Sequence, residues 1–271
     1  MNICEHFYSL QGEGKHIGIP SYFIRVSGCP LRCKFCDSKF AWNTKSDDIL
    51  IEDELSMRKF YIDNIYGRDV RHIVFTGGEP LYKDNYKTLF EFIKFLTKCN
   101  TFIKSYKFTI ETTGIVDPNE IAGNNIIDVL LNLNNVFNPQ ETKENNLSDI
   151  TLSISPKFNM CAYEDYPDVT KKDLYNYYSL KGMSLKNYSF ENVYYKFVHT
   201  NYSGPDISDF VENHILETFK DNIFVMPLTN IPYNEIEYND NCKKVANFCK
   251  ENCLRYSPRL HVDLWGLMKG V

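Results

Sequence analysis

Ser21-Tyr22-Phe23-Ile24-Arg25-Val26-Ser27-Gly28-Cys29-Pro30-Leu31-Arg32-Cys33-Lys34-Phe35-Cys36 is the stretch that decides the fold. Its first six residues are an apolar run and predict a core strand. Ser27-Gly28 then turns the chain, and three cysteines follow with x3 and x2 spacing. That is a loop at the carboxyl end of a strand, where α/β proteins place their chemistry. Thiolates are soft ligands that suit zinc or iron–sulfur clusters. Zinc usually closes with four protein ligands, and no fourth cysteine or histidine lies nearby in the sequence. Three thiolates on a four-iron cubane would leave one iron open to a small molecule. On the trio alone, a cluster and a zinc knuckle both stand.

The strand also carries an odd residue. Arg25 is a lone arginine in an apolar run. Such a residue either faces solvent at a sheet edge or, at a barrel mouth, pairs bidentately with a carboxylate. Outward from the trio, strands are predicted over residues 7–10, 72–76, 108–111, 126–133, 150–154, 193–198 and 223–226. Helices are predicted over 53–66, about 84–98, about 171–180, about 206–219 and 239–252. In the first helix Leu55, Phe60, Ile62 and Ile65 are the expected core contacts. In the second, Leu89, Phe92, Ile93 and Leu96 form the inward stripe. Asp117-Pro118 is expected to open a short helix. Residues 260–265 are read as a last strand that closes the sheet. Strand alternating with helix predicts a parallel sheet, open or closing into a partial barrel.

Several strand ends carry turn chemistry: Gly77-Gly78-Glu79-Pro80, Glu111-Thr112-Thr113-Gly114 and Ser155-Pro156-Lys157. Each alone is an ordinary turn. The 271-residue length fits one domain, over residues 1–271, with insertions expected at residues 134–148 and 158–191. A hydrophobic fraction of 43% suffices for a sizeable core. The net charge of −5 gives no basic footprint for nucleic acid. No apolar run reaches membrane-spanning length and the first residues do not form a signal peptide, so a cytoplasmic protein is expected. Nine cysteines then argue for metal or free thiols rather than disulfides. Cys242, Cys249 and Cys253 recur at helical spacing and are read as core packing; His261 is read as structural.

Taken together these pieces resemble the radical S-adenosylmethionine (SAM) enzymes, and within them the 7-carboxy-7-deazaguanine synthase family. The resembling residues are 9–14 (Ser-Leu-Gln-Gly-Glu-Gly), 23–29, the trio, Cys36-Asp37-Ser38 with Ala41-Trp42, Thr76 to Pro80, Glu111 to Gly114, Ser155 to Lys157, and 259–266. The resemblance implies a partial TIM-like β/α barrel. It implies a 4Fe-4S cluster on Cys29, Cys33 and Cys36, with SAM and Mg2+ as further cofactors. It implies a lyase that converts 6-carboxy-5,6,7,8-tetrahydropterin to 7-carboxy-7-deazaguanine by radical ring contraction, with loss of ammonia. Leu10, Gln11, Gly12, Arg25 and Thr76 would contact the pterin, Arg25 through its carboxylate. Phe35, Cys36, Asp37, Gly78, Ser155, Pro156 and Lys157 would line the SAM site. Ser38 stands where the family carries a magnesium-holding threonine, and Arg259 stands where relatives commonly carry glutamine. A reducing partner such as flavodoxin or ferredoxin and a homodimer are also implied. A glycyl-radical activase and a non-catalytic iron–sulfur protein are the competing readings.

Overall fold

The computed structural model describes residues 1–83, 85–99, 105–126, 150–158, 160–181, 192–200, 204–229, 232–268 and 270. Nine strands form one sheet in the order β3-β1-β2-β4-β5-β6-β7-β8-β9. They are β1 (Asn2–Leu10), β2 (Pro20–Val26), β3 (Ile49–Leu50), β4 (His72–Gly77), β5 (Lys107–Thr112), β6 (Ile150–Ile154), β7 (Val193–His199), β8 (Ile223–Pro227) and β9 (Arg255–Tyr256). From β2 through β9 the pairing is parallel, while β1 runs antiparallel to both β2 and β3. β3 and β9 are the two edges, so the sheet is a partial barrel rather than a closed one. The α-helices include α1 (Glu54–Asn64), α2 (Asn85–Lys98), α3 (Lys171–Tyr178), α4 (Gly204–His214), α5 (Glu235–Asn252) and α6 (Leu260–Trp265), and short 3-10 turns lie between the elements.

Strand periodicity sorts the side chains into two populations. Successive residues point to opposite faces. On the outer face, Tyr22, Ile24, Ile73, Phe75, Phe108 and Ile110 join a core with α1 and α2. Tyr195, Phe197, Ile223 and Val225 join a second core with α3, α4 and α5. The other parity holds Phe23 and Arg25, Thr76, Glu111, Ser153, Lys196 and Met226, and all of these line one cavity. The apolar outside drives the helices onto the sheet, and the mixed inside is left for a ligand.

At the amino end of the strands the same inner parity carries a histidine. His72 is 3% exposed, with Nδ1 2.7 Å from Ser21 Oγ and Nε2 2.8 Å from Thr109 Oγ1. Burial pushes its imidazole down to about 4. The folded value lies below the unfolded 6.5, so this contribution is intact above pH 6.5 and is lost as the pH falls toward 4. At 1.4 kcal/mol per unit, about 3 kcal/mol is at stake. The urea midpoint of the wild type is expected to fall across that window more steeply than that of His72→Gln; parallel curves would refute the assignment.

Three expectations need correction. Residues 260–265 are the helix α6, not a strand; the edge position belongs to β9. Their short pattern fits either form, but Asp263 N donates to Arg259 O at 3.0 Å, and Gly266 (φ 63°) ends the turn. On α1, Leu55 (74% exposed) and Ile62 face solvent, while Met57 and Phe60 are buried and Ile65 is buried just beyond the helix. Cys253 is not on the α5 face: it is the left-handed C-cap and exposed, whereas Cys249 is buried. The strand expected over 126–133 lies outside the described residues except Ile126, which is buried and helical. Residues 134–148 lie wholly outside them. Of 158–191, α3 is present, opened by a Thr170–Asp173 capping box. No helix among the described residues is long and apolar enough to cross a membrane.

Candidate active site

The carboxyl ends of the parallel strands surround a cavity of about 540 Å³. Cys29, Cys33 and Cys36 all face it, on the loop that follows β2. That loop is held by backbone bonds: Cys29 N to Trp42 O at 3.0 Å, and Cys36 N to Cys33 O at 3.0 Å. The Arg32 guanidinium donates to the carbonyls of Cys29 (2.7 Å) and Leu31 (3.0 Å). Burial, with the nearby Glu79 carboxylate, pushes the Cys29 thiol up to about 12; burial also raises Cys33 and Cys36. Metal must displace those protons to bind.

The donor set fits a cluster. Three desolvated thiols share one wall, and Lys157 lies close enough to favour the thiolates of Cys33 and Cys36. Among the described residues no group of three His, Cys, Asp or Glu side chains is placed to hold a metal ion. A cluster places each thiolate on a different iron, so its donors do not converge on a point.

Gly77-Gly78-Glu79-Pro80 docks against this loop. Gly78 N donates to Val26 O (2.9 Å) and Glu79 N to Gly28 O (2.8 Å). A Cβ on Gly78 would lie 2.4 Å from Gly28 O, so only glycine allows the two backbones to approach. Glu79 is fully buried and accepts from Thr112 Oγ1, Thr113 N and Oγ1, and Leu81 N. It latches the end of β4 to the end of β5.

The sequence-predicted residues converge. Leu10, Gln11, Gly12, Arg25 and Thr76 line the cavity, as do Phe35, Asp37, Ser38, Gly78, Ser155 and Lys157. Pro156 is buried and is not part of the lining. Arg25 is already partnered: Nε donates to Glu5 Oε2 at 2.8 Å and Nη1 to Ser38 Oγ at 3.2 Å. Thr76 Oγ1 donates to Glu111 Oε2 (2.8 Å), and Gln11 Nε2 to Glu111 Oε1 (3.3 Å).

Sequence reasoning missed the charged floor. Lys196 Nζ lies 2.6 Å from Glu13 Oε2 and 3.4 Å from Glu111 Oε1. Arg259 Nε donates to Glu13 Oε1 at 2.9 Å. Burial alone would raise the Glu13 carboxyl, but Lys196, Arg259 and His261 together hold it well below the usual carboxylate range. Burial opposes the Lys196 charge, yet Glu111 and Glu13 raise it further. His261 faces this floor rather than the core, 3.9 Å from Glu13. A Cβ on Gly12 would lie 2.2 Å from its Nδ1, which is why the loop carries glycine there. The available signal was Lys196 itself, a lone cation in an apolar strand just as Arg25 is.

Fold and site together define an α/β protein built to hold one iron–sulfur cluster at the carboxyl mouth of an open parallel sheet. The chain belongs to the family described as the 4Fe-4S single cluster domain, whose model matches residues 10–150. It is similar to the 7-carboxy-7-deazaguanine synthases of Buchnera aphidicola subsp. Schizaphis graminum, 38% identical over 127 residues, and Pyrobaculum aerophilum, 25% identical over 272. The first match covers 41% of this chain and 53% of the relative; the second covers 100% and 97%. The chain thus spans about half the length of the Buchnera protein, and 39% of the similar one from Halobacterium salinarum. The fold is that of the crystal structure of QueE from Escherichia coli (TM-score 0.54, 20% identity, covering 96% of this chain and 94% of that one).

Proposed function

We propose that the chain is a radical SAM lyase that converts 6-carboxy-5,6,7,8-tetrahydropterin to 7-carboxy-7-deazaguanine with release of ammonia. The observation that carries this reading is that Arg25, Glu13 and Glu111 share one cavity with the three thiols. When bound there, a reduced cluster with SAM would supply the one-electron chemistry for taking a hydrogen atom from the substrate. Cys29, Cys33 and Cys36 would hold the cluster. Phe35, Asp37, Gly78, Ser155 and Lys157 would position SAM. Because Glu5 takes Arg25 Nε, the substrate carboxylate would meet the Nη edge. Glu13 and Glu111 would accept from the ring N–H groups of the pterin. Phe7 and Phe23, stacked 4.9 Å apart on the wall, would keep water from the reacting carbon.

Arg25→Ala is expected to lower kcat/KM for product about 100-fold, roughly 3 kcal/mol for a lost charge-assisted pair. Uncoupled SAM cleavage should change by less than about threefold on the same grounds. Equal losses in both assays would remove Arg25 from the carboxylate site. Ser38 Oγ donates to Asp37 Oδ1 (3.0 Å) and accepts from Arg25, so a magnesium ion there would be held by a hydroxyl, the substrate and water. Ser38→Ala should then weaken stimulation by magnesium; an unaltered magnesium titration would argue against it. A flavodoxin- or ferredoxin-type reductant, a homodimer and a cytoplasmic setting complete the proposal.

The test is anaerobic turnover with reduced cluster, SAM, magnesium and the carboxypterin, read by mass spectrometry. Formation of 7-carboxy-7-deazaguanine with SAM recovered supports the synthase. Cleavage to 5′-deoxyadenosine without that product would keep the radical chemistry and reject the substrate.

A further inference from the structure

Arg259 is 7% exposed and spends its guanidinium on three separate loops. Nε reaches Glu13 Oε1 (2.9 Å) before β2, Nη1 reaches Thr229 Oγ1 (2.7 Å) after β8, and Nη2 reaches Asp37 Oδ2 (2.6 Å) next to Cys36. Thr229 is 5% exposed. The Asp37 side chain is 45% exposed and stands at the cavity wall. A guanidinium is a rigid planar fork, so its donors keep a fixed relation to one another. Two carboxylates from separate loops are therefore held in register by one group, and Thr229 stops that group from turning.

We propose that Arg259 is a positioning residue that couples ligand binding on the 11–14 loop to ligand binding beside Cys36. A ligand whose N–H groups draw on Glu13 shifts the carboxylate that Arg259 holds. The fork passes the shift to Asp37, which faces the second ligand. A lysine, with one point charge, cannot span all three acceptors. The identity of the two ligands, carboxypterin and SAM, rests on the function proposed above.

The test uses the protein with its cluster oxidised, so that nothing turns over. SAM affinity is measured by anaerobic equilibrium dialysis with and without 6-carboxytetrahydropterin. In the wild type the pterin should tighten SAM about tenfold. In Arg259→Gln that factor should fall below about twofold, with Arg259→Lys between them. A residue that merely packs would weaken both ligands, or lower the melting temperature, and leave the ratio intact. An unchanged ratio in Arg259→Gln, or a ratio of one in the wild type, overturns the proposal. Failure of the pterin to bind the wild type at all would instead reject the substrate reading. The clamp is then read without ligand, from the thermal stabilities of Glu13→Gln, Asp37→Asn and the double variant. These effects should be non-additive with Arg259 present and additive in Arg259→Gln; additivity in both backgrounds overturns it.

Discussion

Cys33→Ala yields a protein without a cluster and with SAM cleavage at background. Cys33 is the middle ligand of the trio and the most buried, at 7% exposure. No fourth cysteine or histidine on the loop stands ready to replace it. Two thiolates would leave a second iron of the proposed SAM-binding cubane without a protein ligand. Iron content, visible absorbance of the reconstituted protein and 5′-deoxyadenosine formation measure the outcome. Retained iron together with cleavage would show that the trio is not the ligand set. The melting temperature of the metal-free variant should stay near that of the metal-free wild type, because Cys33 is one small member of a large core.

Lys196→Met destabilises the fold by about 3–5 kcal/mol, since it leaves buried carboxylates short of their cation. Methionine matches the stem of lysine, so the loss is one of charge and hydrogen bonding rather than volume. Glu13 keeps Arg259, and Glu111 keeps Thr76 and Gln11, so the chain still folds. The sign with pH is definite. Lys196 helps to hold the Glu13 carboxyl below the usual carboxylate range, and protonating Glu13 relieves the penalty of losing it, so the gap between variant and wild type should narrow as the pH falls through that range. Urea denaturation at two pH values measures this. A gap under about 1 kcal/mol at neutral pH would mean that Lys196 is not required to balance the acids.

The strands of the parallel sheet were legible because short apolar runs bounded by turn residues recur along the chain. Residues 72–76 form the expected strand, and Leu89, Phe92, Ile93 and Leu96 form the expected buried stripe of α2. The cysteine loop was legible because three thiols at that spacing have few other uses. Glu13, Lys196 and Arg259 were not, because their meaning lies in one another. They are 183 and 246 positions apart along the chain, and no local pattern announces the pairs. The residues of α6 were misread for a simpler reason. A six-residue segment is too short for its pattern to separate the two periods, and Gly266 with the Arg259 carbonyl decides between them.

The loop of residues 11–14 bears on biosynthesis. Gly14 N is held by Ser257 Oγ, Glu13 by Arg259, and the Gly12 carbonyl by Leu260 N. A nascent chain emerging from the ribosome makes that loop and the cysteine trio early, but it meets those partners only after more than two hundred further residues have been added. The cavity floor is thus completed late in translation. Iron–sulfur loading can precede that moment, whereas ligand binding on the finished floor cannot.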